Sequence, residues 1–144
     1  MNTIAKITEN EGNYLTFIYR KQQEELVLVR TTILANSFKV KPATVTEMLQ
    51  KLAKKGLVEY TRYRGITLTK KGMVTAQKLL RKHRVLEVLL VGALNYDVKK
   101  ACDEASKIGH HASESLINKV CQTYGHPKVC PCNKAIFHTK DCNR

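Results

Sequence analysis

Between Pro42 and about Lys55 the chain places Val45, Met48, Leu49 and Leu52 at spacings of three, one and three, and then the pattern switches to period two. Those spacings put four apolar side chains on one face of a helix. Gly56 stands where that helix would end in a left-handed cap. Past it, Leu57-Val58-Glu59-Tyr60 and Ile66-Thr67-Leu68-Thr69 read as paired strands, with Arg62-Tyr63-Arg64-Gly65 as the hairpin tip. A one-sided helix that runs straight into a two-stranded hairpin fits few folds.

The upstream residues narrow the choice. Residues 1–12 show no clear pattern, but Tyr14, Leu15, Phe17 and Ile18 suit a helix from Asn13 to about Glu25. Val27-Leu28-Val29 is a short β-like run. Thr31 or Thr32 can cap a short helix to about Phe38. Lys39-Val40-Lys41-Pro42 reads as a turn, with Pro42 near the start of the next helix. Two helices, a turn and a second helix whose Thr44, Thr46, Glu47, Gln50 and Lys51 lie off the buried stripe describe a helix-turn-helix. The hairpin behind it is then a wing, whose Arg62 and Arg64 suit phosphate or minor-groove contact. An ordinary hairpin with solvated arginines would give the same local pattern.

Downstream, Thr69 is a candidate cap for a long helix through Val74, Leu79, Leu80, Val85, Leu86, Leu89 and Leu90 to about Leu94. Asp97 can cap another helix to about His111. Ser113 with Glu114 starts a third, with Leu116, Ile117, Val120, Cys121 and Tyr124 on its apolar face, and Gly125-His126-Pro127 stops it. From Lys128 the chain reads as an irregular, cysteine-rich tail. The fold expected is mainly α, an N-terminal winged helix-turn-helix (1–72) followed by a helical dimerisation and metal-binding domain (73–137) and a tail (138–144). Those later helices carry more apolar surface than they can bury on themselves, which points to a homodimer. A twofold dimer would read a palindromic operator with half-sites about 34 Å apart.

Charge points to the same partner. From Lys39 to Arg84 thirteen Lys and Arg stand against two acids, Glu47 and Glu59, which is most of the net +13 of the 144-residue chain. An excess of that size favours a polyanion such as double-stranded DNA, although a solvated basic surface has the same composition. The most apolar run, Val85 to Leu94, is too short to span a membrane and contains Glu87. With Asn2, Thr3, Lys6 and Glu9, the N-terminus lacks the apolar stretch of a signal peptide, so a cytoplasmic location is expected. There the five cysteines are thiols or metal ligands before they are disulfides.

His83 and Glu87, four residues apart, share a helix face and could hold one ion, or could be an ordinary i,i+4 pair. Cys121, His126, Cys130, Cys132, His138 and Cys142 crowd the last part of the chain. Their thiolates would select Zn2+, Fe2+ or an iron–sulfur cluster over Mn2+. A mobile tail carrying redox-exposed thiols is the plainer alternative. An enzyme is not expected: there is no nucleophile motif, no phosphate loop and no pair of acids placed for a cleft.

Several segments resemble the diphtheria toxin repressor and manganese transport regulator family of metal-dependent repressors. They are Ala43-Thr-Val-Thr-Glu-Met-Leu-Gln-Lys-Leu-Ala-Lys-Lys-Gly-Leu-Val58, Tyr63-Arg-Gly-Ile-Thr-Leu-Thr-Lys-Lys-Gly72, Arg81-Lys-His-Arg-Val-Leu-Glu87, Asp103-Glu-Ala-Ser-Lys-Ile-Gly-His-His111 and Gly125-His-Pro-Lys-Val-Cys-Pro-Cys-Asn133. They follow the family's order from about residue 13 to 137. The resemblance leads us to expect a protein like the family's shorter members, which lack its extra C-terminal domain.

The resemblance implies a repressor whose dimer is ordered by a divalent metal, Fe2+, Mn2+ or Zn2+, and which controls iron or manganese homeostasis genes. By position, Lys41, Pro42, Ala43, Thr44 and Glu47 match the family's DNA-contacting residues, with Lys51, Arg62 and Arg64 beside them. Pro42 and Ala43 would read thymine methyls, and Thr44 would hold a phosphate. Lys41 stands where the family has a small polar residue. Cys102 falls at a second-site histidine, so His83, Glu87 and Cys102 form a ligand set; Cys102 also fits a core stripe with Val98, Ala101 and Ala105. The family's primary site is depleted: Asn13, Ser106 and Gly109 replace ligands and only His110 remains. His110 lies eight residues from Cys102, about 12 Å along a helix, too far to share one ion. Cys130 and Cys132, where the family tends to carry one cysteine, are replacement ligands. The alternative is a DNA-binding regulator that has lost the usual metal site and is constitutive, or senses redox through its cysteines or an iron–sulfur cluster.

Overall fold

A computed structural model describes residues 6–143. Asn2 and Thr3, used above against a signal peptide, lie outside the described residues. No helix among these is long and apolar enough to cross a membrane. The chain divides into two compact units at Gln77 and Lys78, inside its longest helix.

The first unit opens with α1 (Glu9–Tyr19), earlier than the apolar stripe predicts. Its start is a capping box: the Glu11 amide donates to Thr8 Oγ1 at 3.1 Å, and the Thr8 amide donates to Glu11 Oε1 at 3.0 Å. The stripe could not reveal this, because the signal is polar and precedes it. Tyr14, Leu15, Ile18 and Tyr19 form the buried face. A wide π turn over Arg20–Glu24 continues α1, and the Gln22 side chain there donates to the Ile66 carbonyl. Residues 27–29 are not a strand. Leu26, at φ 56°, turns the chain just before them; the Val27 amide donates back to the Lys21 carbonyl at 2.7 Å, and the Val29 carbonyl accepts from the Ile66 amide at 3.0 Å.

The next helix, α2 (Thr31–Phe38), has Arg30 at its cap with no side-chain bond, so neither Thr31 nor Thr32 caps it. Phe38 instead stacks on Tyr14 at 4.2 Å, with Phe17 edge-on. After a turn through left-handed Lys39, α3 (Pro42–Lys54) starts with proline in its first turn and buries Val45 and Leu52 completely. Gly56 adopts the left-handed conformation expected of it, φ 71°. The hairpin follows as β1 (Val58–Thr61) and β2 (Gly65–Leu68), antiparallel, pairing Val58 with Leu68 and Thr61 with Gly65.

Thr69 joins the hairpin to α4 (Lys70–Leu94). Its hydroxyl donates to the Gly56 carbonyl at 2.6 Å and accepts from the Gly72 amide at 3.0 Å. Gly72 is obligatory here, because a Cβ would sit 2.0 Å from the Leu57 carbonyl oxygen.

In the second unit the later turns of α4 pack with α5 (Val98–Ile108) and α6 (Glu114–Thr123). Asp97 and Ser113 cap these helices as the sequence predicts, accepting from Lys100 and Leu116 amides. The segment after α6 is ordered. Val129 bridges Ala135, and a last turn at Lys140–Asn143 puts Cys142 into the same core as Val85, Leu86 and Ile117.

The buried Glu11 carboxylate ties α1 to the end of α3 through Lys55 Nζ at 2.9 Å. Burial alone would raise the Glu11 carboxyl, but the Lys55 ammonium and the Thr8 amide and hydroxyl overcome this and hold it below its usual value. A lowered folded value stabilises above the unfolded value, about 4.3, and that stability is lost as pH falls through the folded one. Glu11→Gln should therefore cost about 1–2 kcal/mol at pH 7 in chemical denaturation. At acid pH the gap between variant and parent should close; an equal gap at both would refute the ion-pair account.

Candidate metal centre and nucleic-acid interface

Val45 and Leu52 fix the orientation of α3, so Lys41, Pro42, Ala43, Thr44, Glu47 and Lys51 all fall on its exposed side. Thr44, Glu47 and Lys51 follow each other at three and four residues along one edge of the helix. At the wing tip Arg62 and Arg64 are exposed, and Tyr63 between them is 87% exposed. Every residue proposed to read DNA is thus free to meet a ligand. The basic excess counted in sequence is not. Arg81 is 2% exposed and Arg84 0%. Arg84 donates to the Ala135 carbonyl at 2.7 Å and lies over the Phe137 ring. Lys55 is engaged with Glu11. These cations serve the interior, which composition could not distinguish from surface.

In the second unit α4 carries His83 and Glu87 with Nε2 and Oε1 2.7 Å apart. From α5, Cys102 brings its Sγ to 3.5 Å from the same Nε2. One ligand atom from each lies within 4.8 Å of the other two. Nitrogen and sulfur donors on one tetrahedral ion stand about 3.6 Å apart, which the Cys102–His83 spacing matches, whereas the His83–Glu87 pair is at hydrogen-bond distance and would have to open to admit an ion. Gly109 lies beside His83, where a Cβ would make only ordinary contact with the His83 Cα at 3.7 Å.

Glu87 is 1% exposed and its Oε2 has no hydrogen-bond partner among the described residues. The thiols of Cys132 and Cys130 lie close enough to interact with the carboxylate. Burial would raise the Glu87 carboxyl, but His83 and then Cys132 and Cys130 hold it down. Cys132 moves the other way, pushed up to about 12 by burial and then by Glu87, Cys102 and Cys130. Glu87 is the one carboxylate here, and ionising the thiols of Cys102, Cys130 or Cys132 beside it would add like charge that only a cation could offset. With nitrogen, oxygen and sulfur donors, a divalent transition ion fits.

The tail residues do not act as one group. Cys130 and Cys132 turn to Glu87, whereas Cys121, His126, His138 and Cys142 gather elsewhere in the same unit. Five cysteines divided three and two form no four-thiolate cage, and an iron–sulfur cluster is not supported. Nor is a mobile tail with exposed thiols, since Cys121, Cys130 and Cys142 are buried. His110 joins neither described cluster and stands edge-on to His111. Ser106 is occupied by the Cys102 carbonyl at 3.0 Å, and Asn13 is exposed on α1.

Residues 6–66 match the family model for the iron dependent repressor N-terminal DNA binding domain. Residues 69–138 match that for the iron dependent repressor metal binding and dimerisation domain. The chain is 40% identical over 114 residues to an uncharacterized HTH-type transcriptional regulator of Methanocaldococcus jannaschii, covering 79% of this chain and 91% of that relative. It is 32% identical over 113 residues to the transcriptional regulator MntR of Bacillus subtilis, covering 78% of each. Among solved structures, the manganese regulator SloR superposes with a TM-score of 0.80 at 33% identity, over 92% of this chain and 61% of that one. A manganese-dependent transcriptional repressor in complex with manganese gives 0.82 at 32% identity, over 90% of this chain and 59% of that one.

Zn2+ bound at His83, Glu87 and Cys102 should be lost in Glu87→Gln, with at least a tenfold weaker affinity in competition against a chelating dye. Unchanged affinity would show that these side chains form only an internal ion pair.

Proposed function

The chain belongs to the iron dependent repressor family, that of the diphtheria toxin repressor and MntR, and we propose that it represses metal-homeostasis genes when a divalent ion fills the His83, Glu87 and Cys102 centre. The family consists of transcriptional regulators with a DNA-binding and a metal-binding, dimerising domain, not of enzymes.

The observation that carries the proposal is the convergence of three donor types within 4.8 Å, beside Cys130 and Cys132, in a chain whose recognition helix is exposed. When bound, the ion supplies the positive charge that lets Glu87 and the thiols stay ionised together. His83 and Glu87 would hold it on α4 and Cys102 on α5, with Cys130 and Cys132 of the tail beside Glu87. The sulfur content favours Zn2+ or Fe2+ over Mn2+. Leu94, Val98, Ile108 and Leu116, exposed on the second unit, supply apolar surface for a homodimer. Two copies of α3 would then read a palindromic operator, each with Pro42 and Ala43 on thymine methyls, Thr44 and Lys41 on phosphates, and Glu47 and Lys51 along the groove.

Affinity for the DNA upstream of the protein's own gene, followed by fluorescence anisotropy at fixed salt, tests this. After stripping with chelator, anaerobic titration of Fe2+, Mn2+ and Zn2+ should raise affinity with one of them. Tight binding indifferent to all three would overturn the switch.

In the same assay, Arg62→Ala with Arg64→Ala should weaken binding to every duplex by one common factor and reduce the salt slope by about 2. Loss confined to one operator base would instead make the wing a base reader.

A further inference from the structure

We propose that Cys121, His126, His138 and Cys142 form a second, structural Zn2+ site that clips the tail onto the end of α6. It lies outside the His83 centre and is independent of the regulatory reading.

The donors converge on one atom. His126 Nδ1 is 3.5 Å from Cys121 Sγ and 3.5 Å from Cys142 Sγ. His138 brings a ring nitrogen within 4.8 Å of both Cys121 and His126 donors. At a tetrahedral zinc, sulfur and nitrogen ligands stand about 3.6 Å apart. Cys121, His126 and His138 form the three-donor group, and Cys142, held to it through His126, would be the fourth ligand, giving two thiolates and two imidazoles, the composition of a closed structural site.

The backbone is bent to bring His126 there. Gly125 and His126 are successively left-handed, at φ 73° and 55°. For Gly125 this conformation is free, but for a histidine followed by Pro127 it is disfavoured. The His126 amide closes the helix end by donating to the Cys121 carbonyl at 2.8 Å, which sets the imidazole over the Cys121 thiol. From the other side the turn at Lys140–Asn143 delivers Cys142, whose carbonyl accepts from Gln122 Nε2 at 3.2 Å.

Arg81 supplies an independent argument. Its guanidinium is buried, with Nε and Nη2 lacking a hydrogen-bond partner among the described residues, and it interacts with the Cys121 thiol. Buried N–H donors beside neutral thiols are poorly satisfied, whereas metal-bound thiolate sulfur is a good acceptor and would take the Arg81 N–H bonds. Cys121 and Cys142 are 0% exposed, while His138 is exposed and leaves a way in for the ion.

A zinc count on the full chain tests the proposal. Saturated protein, freed of loosely held ion, should carry two Zn2+ per chain by elemental mass spectrometry. His138→Ala, at the exposed rim, should carry one with unchanged far-ultraviolet dichroism, and so should Cys142→Ser. Glu87→Gln should also carry one, but the other one, and a chelator should still lower its Tm. That thermal response should be missing in His138→Ala. Because each variant empties a different site, failure of the regulatory centre leaves the tail ion countable. The proposal falls if His138→Ala keeps two ions, if the parent holds only the ion that Glu87→Gln removes, or if thiol titration finds Cys121 and Cys142 joined as a disulfide.

Discussion

A carboxylate with 1% exposure cannot sit among thiols without a counter-charge, and the second unit is organised around that constraint at Glu87. Isolated in a core of aliphatic side chains, the group would take up a proton. Here His83 stands one turn away on α4 and holds it ionised. The neighbours that make this arrangement fit are small. Ala101 and Ala105, both buried in the core, keep the packed face of α5 small beside Cys102. A divalent ion bound there, as proposed, would offset the cost of burying these polar groups and would tie three separate chain segments together.

The first unit solves a different problem, that of presenting a rigid helix face to a ligand. Its anchors are backbone-directed. Thr69 fixes the hairpin to Gly56, Gln22 and the Val29 carbonyl hold β2, and Glu11 holds Lys55 at the end of α3. None of these bonds uses the exposed side of α3. Side chains on that exposed face can therefore vary with little effect on folding.

How much of this could be read from sequence depended on whether the signal was periodic. Val45, Met48, Leu49 and Leu52 with Gly56 located α3 and its end, and the change to period two located the wing, because burial on one face imposes both rhythms. The start of α1 escaped because Thr8 and Glu11 mark it by hydrogen bonding. The short run at Val27 looked like a strand because propensity cannot see that Leu26 reverses the chain. Arg81 and Arg84 were counted as surface because charge has no address in a composition. His83 and Glu87 were legible from their four-residue spacing. The sorting of the later cysteines was not, since Cys130 and Cys142 reach their partners through turns that no spacing rule encodes.

The burial of Cys142 against α6 also sets an order of events in synthesis. Translation at 5–20 residues per second adds the stretch from Cys121 to Cys142 in about 1 to 4 s. Through that interval the recognition helix and wing are already made, and α6 waits with its thiol uncovered. A nascent chain is therefore competent to fold its reading head before the lobe that would govern it can close. Until Ile136 and Cys142 arrive, the core they share with Ile117 and Val120 is incomplete, and its apolar side chains and the Cys121 thiol wait together.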